Sequence, residues 1–223
     1  PLLTVVEDGV CRAGNPLFAL AERFAESGAP VAAAGEAKFR LLCDAQTPQG
    51  IVAVIPYPDT PLRTNKPVVI LDSIADPGNV GAIARAAEWF GVPNILLCGA
   101  SADRFHPKTL RSSMGALFRC AVHHSANLRE SMNAHFRDYR IFGASLQSVA
   151  SLQEIEFPRE KFALVLGSEA RGISAELESL VTQSFRIPRH AQAETESLNV
   201  AVAAGVILYH YAFAAARAPK PTL

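Results

Sequence analysis

The chain has 223 residues, of which 49% are hydrophobic and 19% charged, so it is long and apolar enough to bury a sizeable core. Lys+Arg and Asp+Glu both number 21, and this zero formal net charge is atypical of nucleic-acid-binding domains, which are usually basic. The four cysteines have no CxxC spacing and no histidine at ligand spacing. We therefore expect no structural zinc or other metal, and a reducing, cytoplasmic setting.

Residues 1–56 are predicted to form a small α/β domain that is too short to bury a full core. Its predicted strands cover residues 2–6, 30–34 and 50–55, and its predicted helices cover residues 16–27 and 36–44. The chain starts at Pro1, without a Met, and enters directly on an apolar strand. We therefore expect the beginning of this domain to be missing.

Residues 57–67, together with Pro56, read PYPDTPLRTNKP and are predicted to be an extended, proline-rich linker. Residues 68–223 form the larger predicted domain, in which strands and helices alternate. Its predicted strands are 68–72, 94–98, 119–122, 140–144, 162–166 and 185–188, and the first three predicted helices are 79–90, 107–118 and 127–137. Such alternation predicts a parallel sheet with helices on both faces.

Two strand ends and one helix start are predicted to meet at one edge of this sheet. The run FALVLGSEARG ends a buried strand in a turn that contains Glu169 and closes at Gly172. Ser197 is predicted to cap a long apolar helix that has Asn199 in its first turn. Open α/β sheets bind ligands outside the carboxyl ends of their strands, so this edge is the candidate site.

The segment DSIADPGNVGAIARAAEWFG supplies a third stretch, with Asn79 predicted to start its helix. Arg85 and Trp89 fall on the side of that helix opposite its apolar stripe. From spacing alone, Arg85 is interpreted as a solvated surface residue and Asn79 as an ordinary helix cap.

Several common functions are not favoured by the sequence. GxGxxG, GxxxxGK[ST], HExxH and GxSxG are all missing, which argues against a dinucleotide dehydrogenase, a P-loop NTPase, a zinc protease and a serine hydrolase. The apolar run from Ala201 to Tyr209 is shorter than the roughly 20 residues of a membrane span. It is interpreted as a helix buried by its own sheet and by a second subunit, with no membrane partner.

Three ordered stretches resemble one known family: DPGNVGAIARAA, LVLGSEARGIS and the pair IP…SLNVAVAAGVILY. They are similar to the motifs of the SpoU/TrmH (SPOUT) family of RNA ribose 2′-O-methyltransferases. HPKTLRSSMGALF resembles the family's intermediate segment, and TPQGIVAVI resembles part of its α/β substrate-binding domain, so nearly the whole chain is covered.

This resemblance implies an α/β fold whose C-terminal part forms a trefoil knot. It implies S-adenosylmethionine as the methyl donor, a homodimer, and transfer of the methyl group to a ribose 2′-hydroxyl of RNA. Ribosomal RNA is favoured over transfer RNA, because the small appended domain is common in that branch.

The resemblance also implies roles for individual residues. The catalytic candidates, with Arg85 the main one, are Arg85, Asn79, Glu169, Ser197 and Asn199. Glu169 is expected to accept a hydrogen bond from Asn79 or Asn199. The candidates for surrounding the cofactor, mostly through backbone, are Leu166, Gly167, Ile187, Pro188, Ser197 and Leu198.

Arg111, Lys108 and Arg104 are the candidates for contacting RNA phosphate, with scattered surface residues as the ordinary alternative. The sequence departs from the family after Pro188, where HAQAETE makes a longer, glycine-free loop. Two alternatives stay open: a knotted methyltransferase that acts on an RNA base nitrogen, and a non-catalytic RNA-binding or assembly factor.

Overall fold

The computed structural model describes residues 3–11, 14–56 and 58–214. The chain divides into two compact units, Pro1–Pro58 and Asp59–Leu223. Each unit has its own β-sheet. Among the described residues, no helix is long and apolar enough to cross a bilayer.

The first unit is a three-stranded sheet with two helices. The strands are β1 (Leu3–Glu7), β2 (Val31–Ala34) and β3 (Ile51–Val54), and the helices are α1 (Pro16–Glu26) and α2 (Glu36–Leu41). The order is β2-β1-β3, with β1 parallel to β2 and antiparallel to β3. Residue 2, predicted to start β1, lies outside the described residues.

Helix α2 ends at Leu41 and not at residue 44 as predicted. The amides of Leu42 and Cys43 each bond to the carbonyl three residues earlier, at 3.0 and 3.2 Å. This tighter spacing ends the helix in a 3-10 turn.

The second unit is built on a six-stranded sheet in which every strand is parallel to its neighbours. The strands are β4 (Val68–Asp72), β5 (Asn94–Cys98), β6 (Ala121–His124), β7 (Arg140–Ala144), β8 (Phe162–Gly167) and β9 (Gln183–Phe185). Their order is β6-β5-β4-β8-β7-β9. The predicted parallel sheet is therefore confirmed.

Helices cover both faces of this sheet, as the alternation predicts. They are α3 (Pro77–Trp89), α4 (Pro107–Ser113), α5 (Leu128–His135), α6 (Ala175–Glu178) and α7 (Val200–Ala214). Side chains of β4 alternate between two buried clusters: Val69 and Leu71 pack with α3 and α7, whereas Val68 and Ile70 pack with α5 and α6. Burial on both faces explains why the central strands are continuously apolar.

Several boundaries predicted for the second unit are wrong, including those of the helix predicted over 127–137, which covers Leu128–His135. The helix predicted over 107–118 stops at Ser113, because Met114 and Gly115 both take the left-handed conformation, with φ of 49° and 83°. A short 3-10 turn follows, and β6 starts two residues later than predicted. The last strand covers Gln183–Phe185 and not 185–188, because Phe185 is the last residue that pairs with β7.

Residues 59–67 of the predicted linker contain no helix or strand. They nevertheless belong to the second unit, which begins at Asp59. The fully buried side chain of Asn94 accepts from the Arg63 amide at 2.8 Å and donates to the carbonyls of Arg63, Lys66 and Pro67. Leu62 packs against the cluster on the α5 side. We call residues 59–67 the strap.

Candidate functional site

The carboxyl ends of β4 and β8 lie side by side and start the two turns that form the candidate site. Asp72 pairs with Gly167 at the last register position of these strands. After β4 the chain turns into α3, and after β8 it folds back so that Ser168 and Gly172 exchange backbone hydrogen bonds of 3.1 and 2.8 Å. The ends of two central strands thus bring residues 72–79 and 167–174 together.

Helix α3 starts two residues before Asn79. Asp76 is its N-cap and accepts from the Gly78 amide at 2.9 Å, and Pro77 follows at the first helical position. The prediction that Asn79 starts the helix is therefore wrong. The Asp-Pro pair in the sequence was the available signal, since Pro is favoured immediately after a capping residue.

Three predicted catalytic residues are joined by a chain of side-chain hydrogen bonds. The Asn199 amide donates to Asn79 Oδ1 at 3.0 Å, and the Asn79 amide donates to Glu169 Oε1 at 2.7 Å. The expected bond from Asn79 to Glu169 is confirmed. Residues that are 90 and 120 positions apart in the chain thus meet at one point.

Asn199 also caps α7. Its Oδ1 accepts from the amides of Ala201 at 2.9 Å and Val202 at 3.3 Å, which satisfies two free donors of the first helical turn. The prediction of Ser197 as the cap is wrong. Ser197 lies two residues before the cap, is exposed, and makes no hydrogen bond with the described residues.

Arg85 stands apart from this hydrogen-bonded group. It follows Asn79 by six residues, which is about 9 Å along the helix and about 240° around it. Its side chain is exposed and makes no hydrogen bond or ion pair within the described part of the chain. The structure therefore joins Asn79, Glu169 and Asn199 but leaves Arg85 free to meet another molecule.

The predicted cofactor residues lie at the end of β8, just after β9 and just before α7. Leu166 and Gly167 end β8, and a Cβ on Gly167 would lie 2.2 Å from the backbone of Gly172. Glycine is thus required there by the fold-back of the chain itself. Ile187 is half-buried and Leu198 is 47% exposed, and the backbone groups of both have no hydrogen-bond partner among the described residues. Pro188 is exposed.

The predicted RNA contacts lie on or just before α4. Lys108 Nζ bonds to Asp76 Oδ1 at 2.7 Å, so its charge is already engaged at the start of α3. This hydrogen bond, followed by the one from the Gly78 amide, lowers the pKa of Asp76. The Arg104 guanidinium lies 4.6 Å from the centre of the Phe105 ring, and Arg111 is exposed.

Asp72 was not among the predicted site residues, although a strand was predicted to end there. It is only 4% exposed, and its carboxylate accepts from the Ser174 amide at 2.6 Å and the Ser73 hydroxyl at 3.1 Å. The neighbouring Cys98 thiol has its pKa raised to about 12, first by burial and then by the charges of Asp72 and Glu176.

Known proteins match this chain in sequence and in fold. The model of the SpoU rRNA Methylase family matches residues 66–209. The 23S rRNA (guanosine(2553)-2′-O)-methyltransferase RlmP of Bacillus subtilis is 35% identical over 190 residues, which cover 83% of this chain and 73% of RlmP.

Two solved structures share the fold. A TrmH-family RNA methyltransferase from Porphyromonas gingivalis, described as putative, has a TM-score of 0.78 at 34% identity and covers 94% of this chain and 81% of its own. The SpoU methyltransferase AviRb from Streptomyces viridochromogenes, solved in complex with the cofactor AdoMet, has a TM-score of 0.81 at 24% identity, covering 97% of this chain and 84% of its own. On the family match and the identity to RlmP, the chain belongs to the SpoU rRNA methylase family.

Proposed function

We propose that this protein is an S-adenosylmethionine-dependent RNA methyltransferase that methylates a ribose 2′-hydroxyl. The observation that carries the proposal is the hydrogen-bonded chain from Asn199 through Asn79 to Glu169, because it joins the three family-like stretches at the carboxyl edge of the sheet. RlmP, which is named for this reaction on 23S rRNA, supports ribosomal RNA as the substrate.

The cofactor is proposed to lie between the end of β8 and the segment that leads into α7. Backbone groups of Ile187 and Leu198 without partners in the described chain suit the polar edge of an adenosyl group, and half-buried Ile187 suits its apolar face. Leu166, Gly167, Pro188 and Ser197 complete the proposed set. When bound, S-adenosylmethionine supplies the methyl group, and the residues fit that role without a metal.

The protein's part in the chemistry is positioning and electrostatic stabilisation. We propose that Arg85 stabilises the negative charge that develops on the 2′-oxygen, because a guanidinium is not deprotonated in proteins and cannot serve as the base. The proton leaves to a substrate phosphate or to water. Asn79, with its amide fixed by Glu169 and Asn199, and Ser197 line the acceptor side.

We propose that the second unit is knotted at its C-terminal end. The topology supports this: β8 lies between β4 and β7, β9 lies beyond β7, and the chain then returns to pack α7 against α3. That return also brings Asn199 back to Asn79.

A homodimer is proposed from the outer side of α7. The residues Val202, Val206, Tyr209 and Phe213 recur at helical spacing and are each at least 40% exposed: 53%, 40%, 57% and 50%. Trp89, at the end of α3, is 79% exposed. Such a continuous apolar stripe indicates a surface covered by another protein surface, and a partner there would bring its own site residues near exposed Arg85.

RNA is proposed to contact Arg111, Lys108 and Arg104, and the first unit is proposed to bind it as well. Mapping the product on ribosomal RNA tests the function. A 2′-O-methyl group blocks alkaline cleavage 3′ of the modified nucleotide, whereas a methyl on a base nitrogen does not. Calorimetry with S-adenosylmethionine separates the remaining alternative, because a non-catalytic RNA-binding factor gives no binding at millimolar ligand.

A further inference from the structure

A buried carboxylate at the end of the central strand has no part in the function proposed above. Asp72 is 4% exposed and lies between β5 and β8 in the sheet. Burying a carboxylate is costly unless it is hydrogen-bonded. An apolar residue would avoid that cost, so we infer that the hydrogen bonds of Asp72 have a structural role. These hydrogen bonds connect β4 to the loop after β8 and to the turn before α3.

One oxygen of Asp72 binds the loop that follows β8. Oδ2 accepts from the amide of Ser174, which is 102 residues away in the chain, at 2.6 Å. Short hydrogen bonds to a charged acceptor are the strong kind. Because Ser174 is the N-cap of α6 and lies two residues after the fold-back of residues 168–172, this bond ties the end of that loop to β4.

The other oxygen is held in place from the turn that leads to α3. Oδ1 accepts from the Ser73 hydroxyl at 3.1 Å, and Ser73 is in the left-handed conformation with φ of 58°. Ser101 braces the same turn, because its hydroxyl accepts from the Ile74 amide at 3.1 Å and shares its proton between the carbonyls of Cys98 at 2.7 Å and Leu71 at 2.9 Å. Asp72 therefore connects a fixed turn, which continues to Asn79, with the loop that carries Glu169.

We propose that Asp72 is a positioning residue for the reaction. By fixing Ser174 it holds the 168–174 loop so that Glu169 stays within hydrogen-bond distance of Asn79 and the end of β8 keeps the shape that S-adenosylmethionine requires. This inference rests on the proposed function for its ligand but not for the loop contact itself.

The test is the isosteric variant Asp72→Asn, which removes the charge and keeps the volume. We expect S-adenosylmethionine to bind about tenfold more weakly in calorimetry and kcat to fall, since charged hydrogen bonds are worth about a factor of ten or more. Hydrogen exchange of residues 168–174 in the ligand-free protein is expected to accelerate. Asp103→Asn is the matched control, because its Oδ1 accepts from the Phe105 amide at the same 2.6 Å in an exposed turn.

A double-mutant cycle with Glu169→Gln separates positioning from general destabilisation. If Asp72 acts through the loop, the two effects on kcat are less than additive, whereas independent effects add. Unchanged cofactor affinity and kcat in Asp72→Asn, or full additivity with Glu169→Gln, would overturn the inference. If the wild-type protein does not bind S-adenosylmethionine, the proposed function is wrong. Hydrogen exchange of residues 168–174 still tests whether Asp72 stabilises this loop.

Discussion

The Asn79 amide donates to the Glu169 carboxylate at 2.7 Å while its oxygen accepts from Asn199 at 3.0 Å. These two bonds fix which end of the Asn79 amide points to which partner, because only the nitrogen can donate to a carboxylate. Glu169 thus sets the orientation of a side chain on α3 from a turn that follows β8.

The first prediction concerns the direction of this hydrogen bond. Asn79→Asp sets two carboxylates against each other, and we expect kcat for RNA methylation to fall by about tenfold or more. Adding Glu169→Gln restores a donor and acceptor with their roles reversed, so the double variant is expected to recover part of the loss. Methyl incorporation from labelled S-adenosylmethionine measures both. If the loss of kcat in the double variant equals the sum of the losses in the two single variants, the predicted hydrogen bond between residues 79 and 169 is wrong.

The second prediction separates the two functions of Asn199. Asn199→Ala removes the cap of α7 and is expected to lower the free energy of unfolding by about 1 kcal/mol. Asn199→Asp keeps the capping oxygen but cannot donate to Asn79, so we expect unchanged stability with reduced kcat. Ser197→Ala is the control for position and should leave the denaturant midpoint unchanged. Equal destabilisation by Ser197→Ala and Asn199→Ala would show that Ser197 caps the helix.

The third prediction tests Lys108 as a phosphate contact. Lys108→Met is expected to weaken RNA binding and to reduce the slope of log K against log salt concentration by about one. Lys66→Met is a matched control, because the ion pair of Lys66 with Glu160 is similarly exposed but lies at the opposite, amino-terminal edge of the sheet. Equal losses in the two variants would indicate that net charge alone matters.

The same variant changes the titration of Asp76. The pKa of Asp76 lies below its ordinary value of 3.8, with the hydrogen bond from Lys108 the largest cause and that from the Gly78 amide the next. A lowered carboxyl pKa contributes stability above the ordinary pKa, and this is lost as pH falls through the folded-state value. In Lys108→Met the pKa is expected to rise yet stay below 3.8. Carboxyl resonances followed by NMR between acid and neutral pH measure this.

The fourth prediction is the association of two copies through α7. A charge introduced by Val206→Glu would be buried in the proposed interface, so sedimentation should change from dimer to monomer and methylation should fall with it. Leu41→Glu, in the first unit, provides the control because Leu41 is 86% exposed. A wild-type protein that sediments as a monomer at micromolar concentration would rule out the stripe as a dimer surface.

The fifth prediction concerns the buried thiols. Burial raises the pKa of Cys98 to about 12 and that of Cys120 to about 11, so both stay protonated at pH 8. A thiol reagent followed by mass spectrometry should label exposed Cys11 and spare both. The raised pKa values stabilise the fold fully below the ordinary thiol pKa of 9.0, and this contribution is lost as the pH rises from 9.0 through the raised values of about 11 and about 12. Cys98→Ala should therefore lose less stability than wild type over that range.

The sheet could be predicted from sequence because the periodicity is local and strong. The runs VVIL and ILLC are apolar and bounded by polar or turn residues, and the structure has the strands Val68–Asp72 and Asn94–Cys98 at the predicted residues. The errors lie where the ending of an element depends on distant partners. The last strand ends at Phe185 because β7 offers no further pairing, and no local signal marks that point.

In the candidate site, too, the identity of the residues could be predicted from sequence, whereas their contacts with distant residues could not. Motif resemblance identified Asn79, Glu169 and Asn199, but not that Asn199 would cap α7 as well as donate to Asn79. Asp72 was missed because an acidic residue at the end of a strand is ordinary in sequence, and its importance comes from an amide 102 residues away. Resemblance specifies which residues matter, and three-dimensional contacts specify what holds them.

The strap decides where the second unit can be cut. A fragment starting at Val68, the first residue of β4, would leave the buried Asn94 amide without the three carbonyls and one amide that satisfy it. A buried polar group without a partner lowers the free energy of unfolding by about 1–3 kcal/mol. Removing Leu62 would also expose the apolar residues against which it packs. A fragment intended to contain the second unit alone should therefore begin at Asp59, because the nine residues 59–67 belong to its fold.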